Sequence, residues 1–225
     1  MVDGHPDHGF HWHSGCRMIE LIRAWASVPA AGCALTAAAL VVLENRWYSL
    51  GALLFQYLLV SLLGAAMLGP GVALVKMIGG GLVCGMILVA VWRGGEAAGP
   101  HLDVSAGYPT GLPFRLAAAT LVVVAAWGLG GNDWLGLPGL LLPEAQGSAF
   151  LLCLGLLQLG ISEQPLKVGF GLLTAVSGFE IAYAAIEPSL AVQALLVGVH
   201  LAIALVMSYI LLALRAREGS TGMRP

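Results

Sequence analysis

Lys76 stands alone in an apolar run. Between Pro70 and Trp92 it is the only charged side chain, and the run is long enough to cross a bilayer. A lone ammonium at mid-membrane costs about 3 kcal/mol or more, so such a residue faces a protein interior or a water path and needs a partner. Glu180, alone in a second apolar run, is the candidate partner. Helical rise of about 1.5 Å per residue puts Lys76 roughly 9 Å below the end of its helix. The same rise puts Glu180 roughly 10 Å below the end of its own, so the two charges can meet at one level. His200 falls near the midplane of the last apolar run, with Gln193 two turns before it on the same face. Gln56 sits inside the second run.

Lys, Glu and His change charge state when desolvated beside an opposite charge, which is what proton carriage through an apolar medium requires. The candidate ion-path residues are therefore Lys76, Glu180, His200, Gln56 and Gln193. Each has a structural alternative. A Lys–Glu pair can be mutual neutralisation that fixes helix register, a buried His can be a satisfied hydrogen-bonder, and Gln56 and Gln193 suit interhelical hydrogen bonds. Glu187, beside Pro188, reads as a solvated helix end.

The elements that position these residues follow from composition. Of 225 residues, 59% are hydrophobic and 10% charged, with mean hydropathy +0.89. Soluble domains carry about 25% charged residues. The fold class is an all-α, polytopic transmembrane helical bundle. About seven apolar stretches approach membrane-spanning length: 27–43, 48–69, 70–92, 114–131, 147–162, 166–187 and 189–213. Glu44-Asn45-Arg46 makes a polar turn, while Gly69-Pro70, Pro165 and Pro188 stop and restart helices. Seven spans put the termini on opposite sides. Arg46, Arg93, Arg115, Lys167, Arg215, Arg217 and Arg224 gather on one side, against Arg17 and Arg23 on the other. The excess marks the cytoplasmic face, with the N-terminus outside and the C-terminus inside. Trp47, Trp92 and Trp134 fall at expected interfaces. Gly81-x-x-x-Gly85, with Gly79 and Gly80, gives the third helix a smooth face; Gly171, Ser177 and Gly178 do so for the sixth.

The division along the chain is then a polar, His-rich N-terminal tail (1–26), a four-helix membrane part (27–131), an external loop (132–146), a three-helix unit (147–214) and a cytoplasmic tail (215–225). The tail does not have the form of a cleavable signal peptide. Its His5, His8, His11 and His13 match no tight zinc spacing, so no metal is assigned. His101 and Asp103 read as solvated loop residues. Cys16, Cys33, Cys84 and Cys153 have no C-x-x-C spacing, and read as small hydrophobes rather than ligands or disulfides. A net charge of −2 gives no nucleic-acid footprint. No phosphate loop, dinucleotide turn, haem-attachment pair or nucleophile elbow is present. No cofactor and no catalytic residue is assigned, and the chain is expected to be non-catalytic.

The last three helices resemble the small three-helix (NuoK-type) membrane subunit of respiratory complex I and the C subunit of Mrp cation/proton antiporters. The resemblance is carried by the turn Ser162-Glu-Gln-Pro-Leu-Lys167, by Gly171 and by the embedded acid Glu180. The chain as a whole is similar to the longer hydrogenase-4 component E subunits. The stretches Leu54-Phe-Gln56-Tyr-Leu-Leu and Ala73-Leu-Val-Lys76-Met-Ile occur in that family's order, and the run from Val192 to Met207 resembles its final helix. The residue after the embedded acid is Ile181 where the family has asparagine. Gln193 and His200 stand where acids are usual.

The resemblance implies a subunit of a complex-I-like or Mrp-like assembly in a bacterial or archaeal inner membrane. It would help build a lateral proton or cation path, with antiporter-like pump subunits and the lipid bilayer as partners. A self-contained transporter or channel, and a purely structural scaffold of a redox complex, are the alternatives. No internal repeat supports the transporter.

Overall fold

The computed structural model describes residues 12–93, 111–131 and 142–221. These form seven α-helices: α1 (Trp12–Val42), α2 (Arg46–Leu68), α3 (Pro70–Arg93), α4 (Leu112–Gly131), α5 (Leu142–Ile161), α6 (Pro165–Ala184) and α7 (Leu190–Thr221). Six are long and apolar enough to cross a membrane, and α1 adds a shorter apolar stretch, Ser27–Val42. Leu35, Tyr48, Phe55, Leu121, Trp127, Leu195 and Tyr209 point outward. An apolar exterior around polar buried positions is the surface of a multi-pass membrane protein, since lipid replaces water as the solvent.

The turns follow local rules. The Asn45 side chain accepts the Trp47 amide and caps α2. At the other end Gly69 takes φ 89°, a left-handed conformation open to glycine, and donates its N–H to Ala65 O before Pro70 opens α3. Pro165 opens α6 in the same way.

Several helix limits differ from those expected. The fifth helix starts at Leu142, inside the segment read as loop, because Pro143 and Glu144 suit a first turn and do not break one. The first helix reaches back to Trp12, and α7 runs on to Thr221 through strong helix formers such as Arg215 and Arg217. The sixth helix stops at Ala184, and Ile186 and Tyr183 close a tight turn ahead of Pro188. Glu180 therefore sits about 6 Å from its helix end rather than 10 Å.

The most buried helix is α6, while α4 and α7 lie at the periphery. Its seam with α5 is backbone against backbone. A Cβ on Gly155 would fall 2.5 Å from the Ala175 nitrogen, and one on Gly178 would fall 2.6 Å from the Leu152 nitrogen. The seventh helix packs chiefly on α3, so the last three helices interlock with the first four. One core joins Leu40, Leu53, Val83, Ile87, Phe170 and Ala204; a second joins Cys33, Leu63, Ala119, Leu151 and Ile181.

Candidate functional site

Lys76 of α3 and Glu180 of α6 meet inside the bundle. Nζ and Oε1 are 3.6 Å apart, and each side chain is 4% exposed. The separation exceeds a charge-assisted hydrogen bond, and neither of these atoms has a hydrogen-bond partner within the described residues. The Lys76 stem runs over Gly64 of α2, where a Cβ would be in contact with its terminal atoms at 3.5 Å.

His200 of α7 approaches the same place. A small cavity of about 10 Å³ is lined by Tyr57, Val60, Lys76, Gly79, Gly80, Glu180, Val197 and His200. That volume is close to the room a single water needs. Tyr57 stands edge-on to the His200 ring, with centroids 5.7 Å apart at 70°. The root of its ring packs against Gly80, where a Cβ would fall 2.7 Å from Tyr57 Cγ. The Tyr57 hydroxyl is buried without a hydrogen-bond partner among the described residues, with the Ser177 hydroxyl and Glu180 carboxylate as its polar neighbours.

The imidazole is tied at both nitrogens. Nδ1 lies 2.9 Å from Leu196 O, and Nε2 lies 3.2 Å from Ser177 Oγ. A carbonyl only accepts, so Nδ1 carries a proton. Ser177 Oγ is also 2.8 Å from Leu173 O. Its one hydrogen serves either that carbonyl or Nε2. With the hydroxyl turned to Leu173, Nε2 must donate and the ring is a cation. With the hydroxyl turned to Nε2, the ring is neutral. Rotation of one hydroxyl thus accommodates both charge states of His200 without moving a helix.

Thr174, Ser177 and Glu180 form a polar stripe on α6 at three-residue spacing. Gln56 of α2 donates from Nε2 to Thr174 Oγ1 at 3.2 Å. Of the five candidates, Lys76, Glu180 and His200 share the cavity. Gln56 joins through Thr174, off the cavity wall. Gln193 is fully buried, and neither side-chain polar atom has a hydrogen-bond partner among the described residues; it does not line the cavity. Tyr57, Ser177 and Thr174 were not among the expected site residues. The three-residue stripe on α6 and the neighbour position of Tyr57 to Gln56 were the legible signals.

A second polar cluster closes one end of the bundle. Arg115 at the start of α4 is 2% exposed, donating to Glu44 at 3.3 Å and to Val41 O. It caps the carbonyl end of α1, where a cation is favoured. Lys167 is also buried, and Gln158 of α5 donates to its backbone carbonyl at 3.1 Å. Arg115 was expected only as a marker of sidedness; it also locks a helix end.

His5, His8, His11, His101, Asp103 and Trp134 lie outside the described residues. Among the described residues no three His, Cys, Asp or Glu side chains gather, and Cys33, Cys84 and Cys153 are free thiols. The chain matches no protein-family model, no curated protein and no solved structure.

Proposed function

We propose that this chain is a membrane subunit of a complex-I-like or Mrp-like assembly and carries part of a lateral proton or cation path. The observation that supports this most is the meeting of Lys76, Glu180, His200 and Tyr57 around one interior cavity. Four helices, α2, α3, α6 and α7, each bring an ionisable group to it. A scaffold gains nothing from such groups that an apolar core would not supply, because replacing a buried ion pair by well-packed apolar residues is often neutral or stabilising. The family resemblance set out above adds the assembly context and rests on the residues quoted there.

The chain's own residues supply a buried Lys–Glu pair, a His whose two protonation states are both hydrogen-bonded, and a phenol beside them. A proton arriving at His200 Nε2 turns the Ser177 hydroxyl to Leu173, and its departure turns the hydroxyl back. The Lys76–Glu180 pair lies within the same cavity wall and biases that exchange electrostatically.

The test is Lys76→Met combined with Glu180→Leu, in membrane vesicles containing the native assembly. The double substitution leaves no unpaired charge, so the subunit is expected to assemble. Ion translocation is expected to fall at least tenfold. Assembly with full coupled translocation would sink the path and leave a scaffold. Translocation by the purified chain alone in liposomes would favour a self-contained transporter.

A further inference from the structure

An open apolar groove of about 530 Å³ runs along α3 and α7 on the outside of the bundle. Gly81, Gly85, Val89, Arg93, Ser208 and Leu212 wall it. A Cβ on Gly81 or Gly85 would meet no atom within 4 Å, so both glycines look onto the groove rather than onto a neighbour. From Gly81 to Arg93 the helical rise gives roughly 18 Å. One leaflet of hydrocarbon is about 15 Å deep, half of the bilayer core. The groove therefore spans about one leaflet, from mid-membrane to a helix end.

Its polar groups are ordered. Arg93 is exposed in the last turn of α3 and makes no ion pair among the described residues. The Ser208 hydroxyl is buried without a hydrogen-bond partner among the described residues. Val197 of α7 packs against Gly79 of α3, so equal counts along the two helices set Ser208 level with Ala90. That is about one turn, roughly 5 Å, below Arg93. Beyond Ser208 the wall is glycine and aliphatic. Cation at the surface, hydroxyl one turn deeper and an apolar trough below match the order of phosphate, glycerol ester and acyl chain.

We infer that this groove is a binding site for one anionic glycerophospholipid. Its phosphate pairs with Arg93, an ester oxygen accepts from Ser208, and one acyl chain lies over Gly85 and Gly81. A transmembrane helix of a partner would also fit against the two glycines, but an apolar helix leaves Arg93 and Ser208 unmatched. The site is independent of the interior ion pair and does not rest on the reading proposed for it.

The experiment uses the full chain in nanodiscs holding equal phosphatidylglycerol and phosphatidylcholine, with retained lipid counted by native mass spectrometry. One phosphatidylglycerol is expected to stay bound, preferred about fivefold, the bias that one surface cation gives. Gly85→Leu fills the trough and is expected to release it. Gly81→Ile is the second variant, at a position equally open, and circular dichroism verifies that both fold. Arg93→Gln is expected to keep occupancy and erase the headgroup preference. Equal retention by wild type, Gly85→Leu and Gly81→Ile would overturn the site. So would a Gly85→Cys variant that cross-links chiefly to a protein helix in native membranes.

Discussion

The two faces of α6 are built on opposite plans. Toward α5 it presents Gly171, Ala175 and Gly178, and the two backbones touch with no room for a further methyl group. Toward α2, α3 and α7 it presents Thr174, Ser177 and Glu180, and the packing opens into the small cavity that Glu180 lines. One helix is thus clamped on one side and dressed on the other with two hydroxyls and one carboxylate. A rigid seam fixes Glu180 to a definite place, and the polar face can then change its hydrogen bonds without moving the helix. Interiors are packed closely enough that such a division must be built in, because loosening one seam is felt by its neighbours.

The largest expected effect separates the two faces by charge. Lys76→Met alone strands a carboxylate, and breaking one partner of a buried pair costs about 3–5 kcal/mol. Lys76→Met with Glu180→Leu should recover most of that loss. Unfolding of the purified chain in mixed micelles reads both, and the double-mutant cycle gives the coupling. A double variant as weak as the single would mean that the pair is not what holds α3 to α6.

Next comes the clamp. Gly155→Val and Gly178→Val each drive a side chain into backbone atoms, which cannot step aside as a flexible side chain can. Each should cost about 3 kcal/mol, the upper part of the overpacking range. Gly81→Ala, on the open groove, is the control and should change stability by less than about 0.5 kcal/mol. The same measurement serves all three. A clamp variant as stable as the control would dissolve the contrast between the two faces of α6.

The clamp and the cavity were unequally legible in sequence. Lone charges in apolar runs announce themselves, so Lys76 and Glu180 could be paired by depth before any coordinates. Apolar length and the proline and glycine breaks marked the helices, to within a turn at most ends. Hydropathy weighs a residue by type and not by face. Ser177 therefore passed as a small residue for close packing and Thr174 was passed over, although the stripe with Glu180 turns both inward. Tyr57 was hidden by its place in an aromatic, apolar stretch. Arg115 and Lys167 were hidden by a rule that treats terminal cations as solvated. Which helices touch is a matter of tertiary packing, and nothing local says that α7 prefers α3 to α6.

His200 sharpens the polar side. Ser177→Ala leaves Nε2 without its hydroxyl partner, and an unsatisfied buried group costs about 1–3 kcal/mol. Ser177→Thr keeps the hydroxyl and should restore the hydrogen bond, provided that the added methyl group fits beside Leu173. Nitrogen NMR of labelled histidine reports the tautomer directly. The neutral ring is expected with its proton on Nδ1 in the wild type, held by the Leu196 carbonyl, and with that preference kept in Ser177→Ala. A proton resident on Nε2 in the neutral ring would refute the hydroxyl exchange described above.

The smallest effect tests whether Gln56 belongs to the cavity or only borders it. Gln56 and Thr174 make one hydrogen bond between α2 and α6, and such bonds in membrane interiors average about 0.6 kcal/mol in double-mutant cycles. Gln56→Met with Thr174→Val should show a coupling of that size, with the Lys76–Glu180 coupling unchanged. Thr174 lies two three-residue steps from Glu180 along α6, and Gln56 reaches it without lining the cavity. If removing Gln56 instead shifts the coupling of the ion pair, its unpartnered Oε1 helps to set the field at Lys76, and the polar face of α6 acts as one unit from Thr174 to Glu180. Independence of the two couplings would confine the ionisable function to the upper turn of that face. The lower turn would then serve only to fasten α2.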